Sequence, residues 1–158
     1  MSTSLTWTAT DVENTMRIVL QGSVNEDADF ESLLATIKTR QHVVISLKGI
    51  GALNSCGVRE WVNFVREIPA EIQIELEDCS PVVVSQLNMI SNFVGHAKIV
   101  SVVAPFICDS CGNEEERILN VADGTFPELT GTTCGKCHDE MVFDDIEDSY
   151  FAFLDAGT

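Results

Sequence analysis

Positive charge is scarce in this chain. Only 9 Lys and Arg residues stand against 25 Asp and Glu, so 9 − 25 = −16, and the pI is near 4.2. A surface this acidic repels phosphate backbones and anionic lipid. It excludes nucleic acid and membrane surfaces as partners and favours a protein with a basic patch. Long apolar runs are also missing: no stretch reaches the ~18 residues that a spanning helix needs. The opening MSTSLTWTAT has neither the basic nor the apolar segment of a signal peptide. The expected compartment is therefore the cytoplasm, where cysteines serve more often as metal ligands or buried thiols than as disulfides. Internal repeats and low-complexity tracts are absent. No Ser/His/Asp set and no carboxylate pair stands out from the acidic background, so no enzyme is expected.

What remains is a chain of 158 residues, 45% hydrophobic, with a mean hydropathy of +0.14. That is enough for one domain plus a small appendage, and it argues against disorder. Val43 to Gly57, VVISLKGIGALNSCG, organises the first hundred residues. Val43 to Leu47 read as a strand buried on both faces, Gly49 and Gly51 as punctuation of a loop, and Asn54 to Gly57 as the entry to a helix.

Around this centre, Leu5–Thr10 and Met16–Gln21 read as an antiparallel pair turned by Asp11–Thr15. Asn25, Glu26 and Asp27 sit where a helix should begin. Phe30, Leu33, Leu34 and Ile37 line it, with Lys38 and Arg40 in its last turn. Val58, Trp61, Val62, Val65 and Ile68 line a second helix, which Pro69 ends. Ile72, Ile74 and Leu76 alternate as a strand. Ser80 and Pro81 open a third helix, closed by Gly95, and Lys98–Val103 is one more strand. The order β-β-α-β-α-β-α-β predicts an α/β fold with a mixed, largely parallel sheet. Trp7, Trp61 and Cys79 read as packing residues. His42 and His96 have no evident partner.

After Pro105 the periodicity gives way to cysteine pairs, glycines and acidic residues. It returns at Ile146, Tyr150, Phe153 and Leu154, one face of a final helix. The expected division is a first domain over 1–104, a small insert over 105–143, and a helix over 144–158 that packs back on the first domain. The insert holds Cys108-Asp-Ser-Cys111 and Cys134-Gly-Lys-Cys137. Each C-x2-C pair puts two thiolates on one tight turn, and two such turns complete a tetrahedron of soft ligands. This is the pattern of a structural zinc ribbon, and the same cage accepts iron. The 22 residues between the pairs (112–133) are compatible with a hairpin between the knuckles, and Ile118–Val121 and Met141–Phe143 read as the ribbon strands. Cys134 to His138 also spells the C-x-x-C-H of c-type haem attachment. The matching second pair and the missing export signal argue against haem, and His138 reads as a surface residue.

The strand, loop and helix around Ser55 resemble the STAS family, the sulfate-transporter and anti-sigma-factor-antagonist domains, over residues 5 to 103 in element order. The family's Asp-Ser-[Ser/Thr]-Gly stands here as Asn54-Ser55-Cys56-Gly57, with Gly22 after the second strand and an acidic run before the first helix. Asn54 replaces the Asp, Cys56 the Ser/Thr, and Arg59 a second glycine. The resemblance implies a STAS-like fold. It also implies a phosphorylation switch at Ser55, operated by a partner serine kinase that is itself the anti-sigma factor, with Asn54, Cys56 and Gly57 at the contact. The residues alone leave another role open, since Asn54 or Ser55 also suits a plain helix cap. Cys56 reads either as a small packed side chain or as a thiol activated at a helix N-terminus.

The sequence thus points to a non-enzymatic interaction module, a partner switch in a bacterial regulatory circuit. Two alternatives stay open: a scaffold or oligomer subunit without phospho-regulation, and a zinc-thiolate redox sensor.

Overall fold

The computed structural model describes residues 4–90, 92–124 and 126–156. The extreme ends of the two outer segments, 1–3 and 157–158, lie outside the described residues. The fold is mixed α/β. Strands β1 (Thr6–Val12), β2 (Thr15–Val24), β3 (His42–Leu53), β4 (Gln73–Glu77) and β5 (Lys98–Ile99) form one sheet in that order. The β1–β2 pair is antiparallel and the remaining pairs are parallel. Each parallel crossover steps to the next strand in the same direction. Right-handed connections therefore place α1 (Glu31–Ile37), α2 (Ser55–Glu67) and α3 (Pro81–Met89) on one face.

Met16, Ile18 and Leu20 of β2, Val43, Ile45 and Leu47 of β3, and Ile74 and Leu76 of β4 point to that face and meet the helices in one core. Phe30, Trp61, Phe64 and Phe93 pack together at its centre, and the Trp61 indole donates to the Phe93 carbonyl at 2.8 Å. Phe64 falls outside the apolar stripe expected for α2, yet it is buried. Among the described residues, no helix covers the opposite face. Val44 and Ser46 are nonetheless shielded there, where the Arg17–Glu77 and His42–Glu75 pairs cross the sheet. His42 also meets Thr15, and His96 meets the Ile72 carbonyl, so both histidines have partners.

Several local expectations are corrected. The hairpin turn is Glu13–Asn14 alone, because Val12 and Thr15 still pair; Glu13 takes the left-handed conformation (φ 58°) that so tight a turn requires. Residues Asn25 to Ala28 form a separate turn, and α1 starts only at Glu31. Arg40 lies beyond α1 and binds Asp11 of β1. Gly49 and Gly51 are not in a loop. β3 runs on to Leu53 beside the long β2, and the glycines fall where the ladder shifts register. Helix α3 stops at Met89, and Gly95 belongs to the following turn.

The strand expected over Lys98–Val103 divides at Val100. Its first part, β5, ends the large sheet. Its second, β6 (Ser101–Ile107), is the centre of another sheet, between β7 (Glu114–Asn120) and β8 (Val142–Phe143). Both flanking strands are antiparallel to β6, so 118–121 and 141–143 do not pair with each other as a ribbon hairpin. A parallel bridge between Cys79 and Val102 stitches the two sheets together, and β6 continues across position 104 without interruption. The final helix is two short ones, α4 (Glu147–Tyr150) and α5 (Ala152–Ala156). Tyr150 and Phe151 are buried against Phe143, while Ile146 is exposed. The Asn88 side chain of α3 bonds the Tyr150 carbonyl (2.9 Å) and the Phe153 N–H (2.8 Å), and the Tyr150 hydroxyl donates to the Val103 carbonyl.

Candidate metal centre and the Ser55 turn

Cys108 leaves the end of β6, and its N–H donates to the Asn113 carbonyl at 2.8 Å. The Gly112 N–H returns to the Cys108 carbonyl at 2.7 Å, with Gly112 at φ 77°. The second turn repeats the pattern: Cys134 donates to the Asp139 carbonyl at 2.8 Å, and His138 returns to the Cys134 carbonyl at 3.0 Å with φ 68°. The two knuckles are thus the same structure, and His138 occupies the left-handed position that glycine fills in the first. His138 is exposed, as expected. The strain on its backbone had no signal in the sequence beyond its alignment with Gly112.

The two turns face each other. Cys108 Sγ lies 3.4 Å from Cys137 Sγ, and Cys111 Sγ lies 3.6 Å from Cys134 Sγ. All four sulfurs fall within 4.8 Å of one another, so the residues can hold one metal ion. Cys108 and Cys134 are buried, and Cys111 and Cys137 are exposed. The backbone N–H groups of Cys137 and Lys136 hold the Cys134 thiol down to about 6. The Asp139 N–H acts in the same direction on Cys137, but the neighbouring sulfurs and burial outweigh it and push that thiol up to about 12. The Cys134 thiolate forms readily, while Cys111 and Cys137 resist ionising beside it. A bound cation removes that conflict by replacing the protons.

A web of polar side chains joins the turns. Glu115 Oε2 accepts from the Gly135 N–H and from Asn113 Nδ2, each at 2.7 Å. The other carboxylate oxygen pairs with Arg117, which also donates to the Thr133 carbonyl at 3.2 Å. Asn113 Nδ2 and the Lys136 N–H both reach Cys134 Sγ, at 3.5 and 3.3 Å. The Gly135 N–H first, and Arg117 after it, hold the Glu115 carboxyl below the usual range. Sequence reading missed Asn113, Glu115 and Arg117, which an acidic background hides.

At the Ser55 turn, Asn54 is the N-cap of α2, and its side-chain oxygen accepts from the Gly57 N–H at 2.7 Å. Its amide donates to Glu26 at 2.8 Å and holds that carboxyl low. Ser55 is the first helical residue and is exposed. Cys56 is exposed too, which corrects the expectation of a packed side chain. Gly57 is buried because the helix start presses on β2: a Cβ there would sit 1.9 Å from the Val24 carbonyl oxygen. Ser80 is an N-cap by position only; its hydroxyl donates to the Ile50 carbonyl at 2.8 Å and ties the end of β3 to α3. Cys79 is buried, and burial pushes its thiol up to about 12.

No helix among the described residues is long and apolar enough to cross a membrane. Neither a protein-family model nor a curated protein matches this chain.

Proposed function

We propose that this chain is a non-enzymatic regulatory interaction module, a STAS-like α/β body whose C-terminal third is braced by a structural zinc. The observation that carries the reading is the meeting of two like-built cysteine turns with their four sulfurs within 4.8 Å. Four thiolates fill a tetrahedron and leave no open position for a substrate, which suits a brace and not a catalyst. Zinc fits this donor set, and iron is the competing metal.

The partner contact in this reading is the start of α2. Ser55 is exposed there at the end of the central strand, and the element order is the one implied by the STAS resemblance. A phosphate on Ser55 adds about −1.5 to −2 charges. It would stand beside Glu26, which Asn54 already holds at 2.8 Å. The repulsion would open that contact and change the surface offered to a partner, expected to be a serine kinase of the anti-sigma type. One observation favours a second reading. Asn54 already caps α2, so this turn has a structural job without any phosphate. The chain would then be a scaffold subunit with the same zinc brace.

Elemental analysis of untagged protein, with intact mass on protein from its native cells, tests both halves. One zinc per chain and a phosphate mapped to Ser55 are expected. Iron in the cage would change the metal, and its absence altogether would remove the brace. A Ser55 that stays unmodified when candidate kinases are supplied would move the conclusion to the scaffold.

A further inference from the structure

We infer that Glu115 is the positioning residue of the thiolate site, a clasp that sets the second cysteine turn against the first and aims Cys134 into the cluster. The inference rests on the metal reading above. The backbone ladder joins the two turns only indirectly among the described residues, through the two-residue strand β8 that pairs with β6 at Phe106 and Ile107. The first turn continues β6 and leads into β7; the second follows a long irregular segment, is closed by the Thr133–Glu140 bridge and the Met141 N–H to Thr132 carbonyl bond, and runs on into β8. Glu115 spans the gap. It sits on β7 opposite Phe106, so the paired strands fix its backbone. One carboxylate oxygen takes the Gly135 N–H, the residue next to Cys134, and the Asn113 amide, which in turn donates to Cys134 Sγ. The other oxygen is held by Arg117 Nη2, and the same nitrogen donates to the carbonyl of Thr133, on the far side of Cys134.

Both residues flanking Cys134 are therefore tied to one carboxylate–guanidinium pair. Gly135 suits this approach, since a Cβ there would lie 3.0 Å from the same carboxylate oxygen. Side chains that orient metal ligands in this way are worth ~10- to 100-fold in metal affinity.

The test uses the full chain loaded with cobalt(II), whose visible absorption reports thiolate geometry, together with zinc affinity by chelator competition. Glu115→Ala is expected to weaken zinc about tenfold or more and to lower and shift the cobalt bands. Glu115→Gln should recover most of the spectrum, because its amide oxygen still accepts from Gly135 and Asn113. Glu114→Gln, at an exposed neighbour, should behave as the parent. Val102→Ala loosens the same sheet from its buried core and should lower stability with an unchanged spectrum. If Glu115→Ala does not fold, Asn113→Ala carries the test, with the same direction of change expected. A folded Glu115→Ala, or in its place Asn113→Ala, with parental zinc affinity and cobalt bands overturns the clasp while the four-thiolate site stands. A parent chain that takes up no thiolate-bound cobalt overturns the metal reading beneath it.

Discussion

The two sheets of this molecule are held by different physics. In the five-stranded sheet, Met16, Ile18, Leu20, Val43, Ile45 and Leu47 present an unbroken apolar face to three helices. Burial of that area needs no ligand and no particular side-chain geometry beyond good packing. In the three-stranded sheet only β6 is buried along most of its length. β7 alternates exposed and half-buried residues, and β8 has two residues. Its apolar mass includes Phe106, Phe143, Tyr150 and Phe151, with Val102, Val121, Leu129 and Met141 buried alongside. At the other end stand the four cysteine sulfurs and Glu115. The first region should tolerate loss of a ligand, and the second should not.

Metal removal puts this difference to its hardest test and carries the largest expected effect. Structural zinc in small sites contributes ~10–16 kcal/mol of apparent binding energy near neutral pH. Stripping the ion with a chelator, or changing Cys108 to Ser, should release amide-exchange protection over 108–143 while β2 and β3 keep theirs. Acid should do the same. In the proposed site the ligands are thiolates, so protons compete with the metal, and metal retention should weaken as pH falls. Equal loss of protection in both sheets would show that the Cys79–Val102 bridge makes them one cooperative unit.

The reverse experiment perturbs the apolar side. Phe64 is buried between Phe30 and Trp61. Phe64→Ala leaves a cavity that its neighbours cannot fill, at a cost of ~3–5 kcal/mol. Denaturant titration of the metal-loaded protein should show that loss, while chelator competition gives an unchanged zinc affinity. A matching drop in affinity would mean that the thiolate site borrows its order from the core.

The same contrast decides what could be read in advance. Strand and helix order through residue 99 follows from hydrophobic periodicity, because burial on one face imposes it. The four cysteines were legible from spacing, since two C-x2-C turns have few other uses. The misreadings fall where a longer-range contact overrides local pattern. Gly49 and Gly51 look like loop punctuation, yet the length of β2 keeps them in a strand. Lys98–Val103 looks like one strand, yet the bridge to Cys79 bends it between two sheets. Phe151 was missed as core because a break between α4 and α5 rotates it inward, and Ile146 outward. Glu115 and Asn113 were invisible for another reason: a single carboxylate in a chain with 25 acidic residues carries no pattern.

The smallest predicted effect is also the most local. The two cysteine turns share every backbone hydrogen bond, and at the residue after each second cysteine the chain is left-handed. Gly112 meets that requirement without a Cβ. His138 meets it with one, and its ring is exposed, so no buried contact offsets the strain. His138→Gly removes a steric penalty of about 1 kcal/mol in the folded state. Against this stands the greater freedom that glycine gives the unfolded chain, of similar size. The metal decides the sign. With the ion bound, the turn is already held by two thiolates, and the conformational penalty is felt fully. His138→Gly should then raise zinc affinity severalfold and leave the stability of the five-stranded sheet unchanged, as read by chelator competition beside denaturant unfolding. His138→Ala serves as the control, since it keeps the Cβ and removes only the ring, and it should match the parent. Should alanine and glycine behave alike, the strain at this turn is absent and the two knuckles differ in more than their fifth residue.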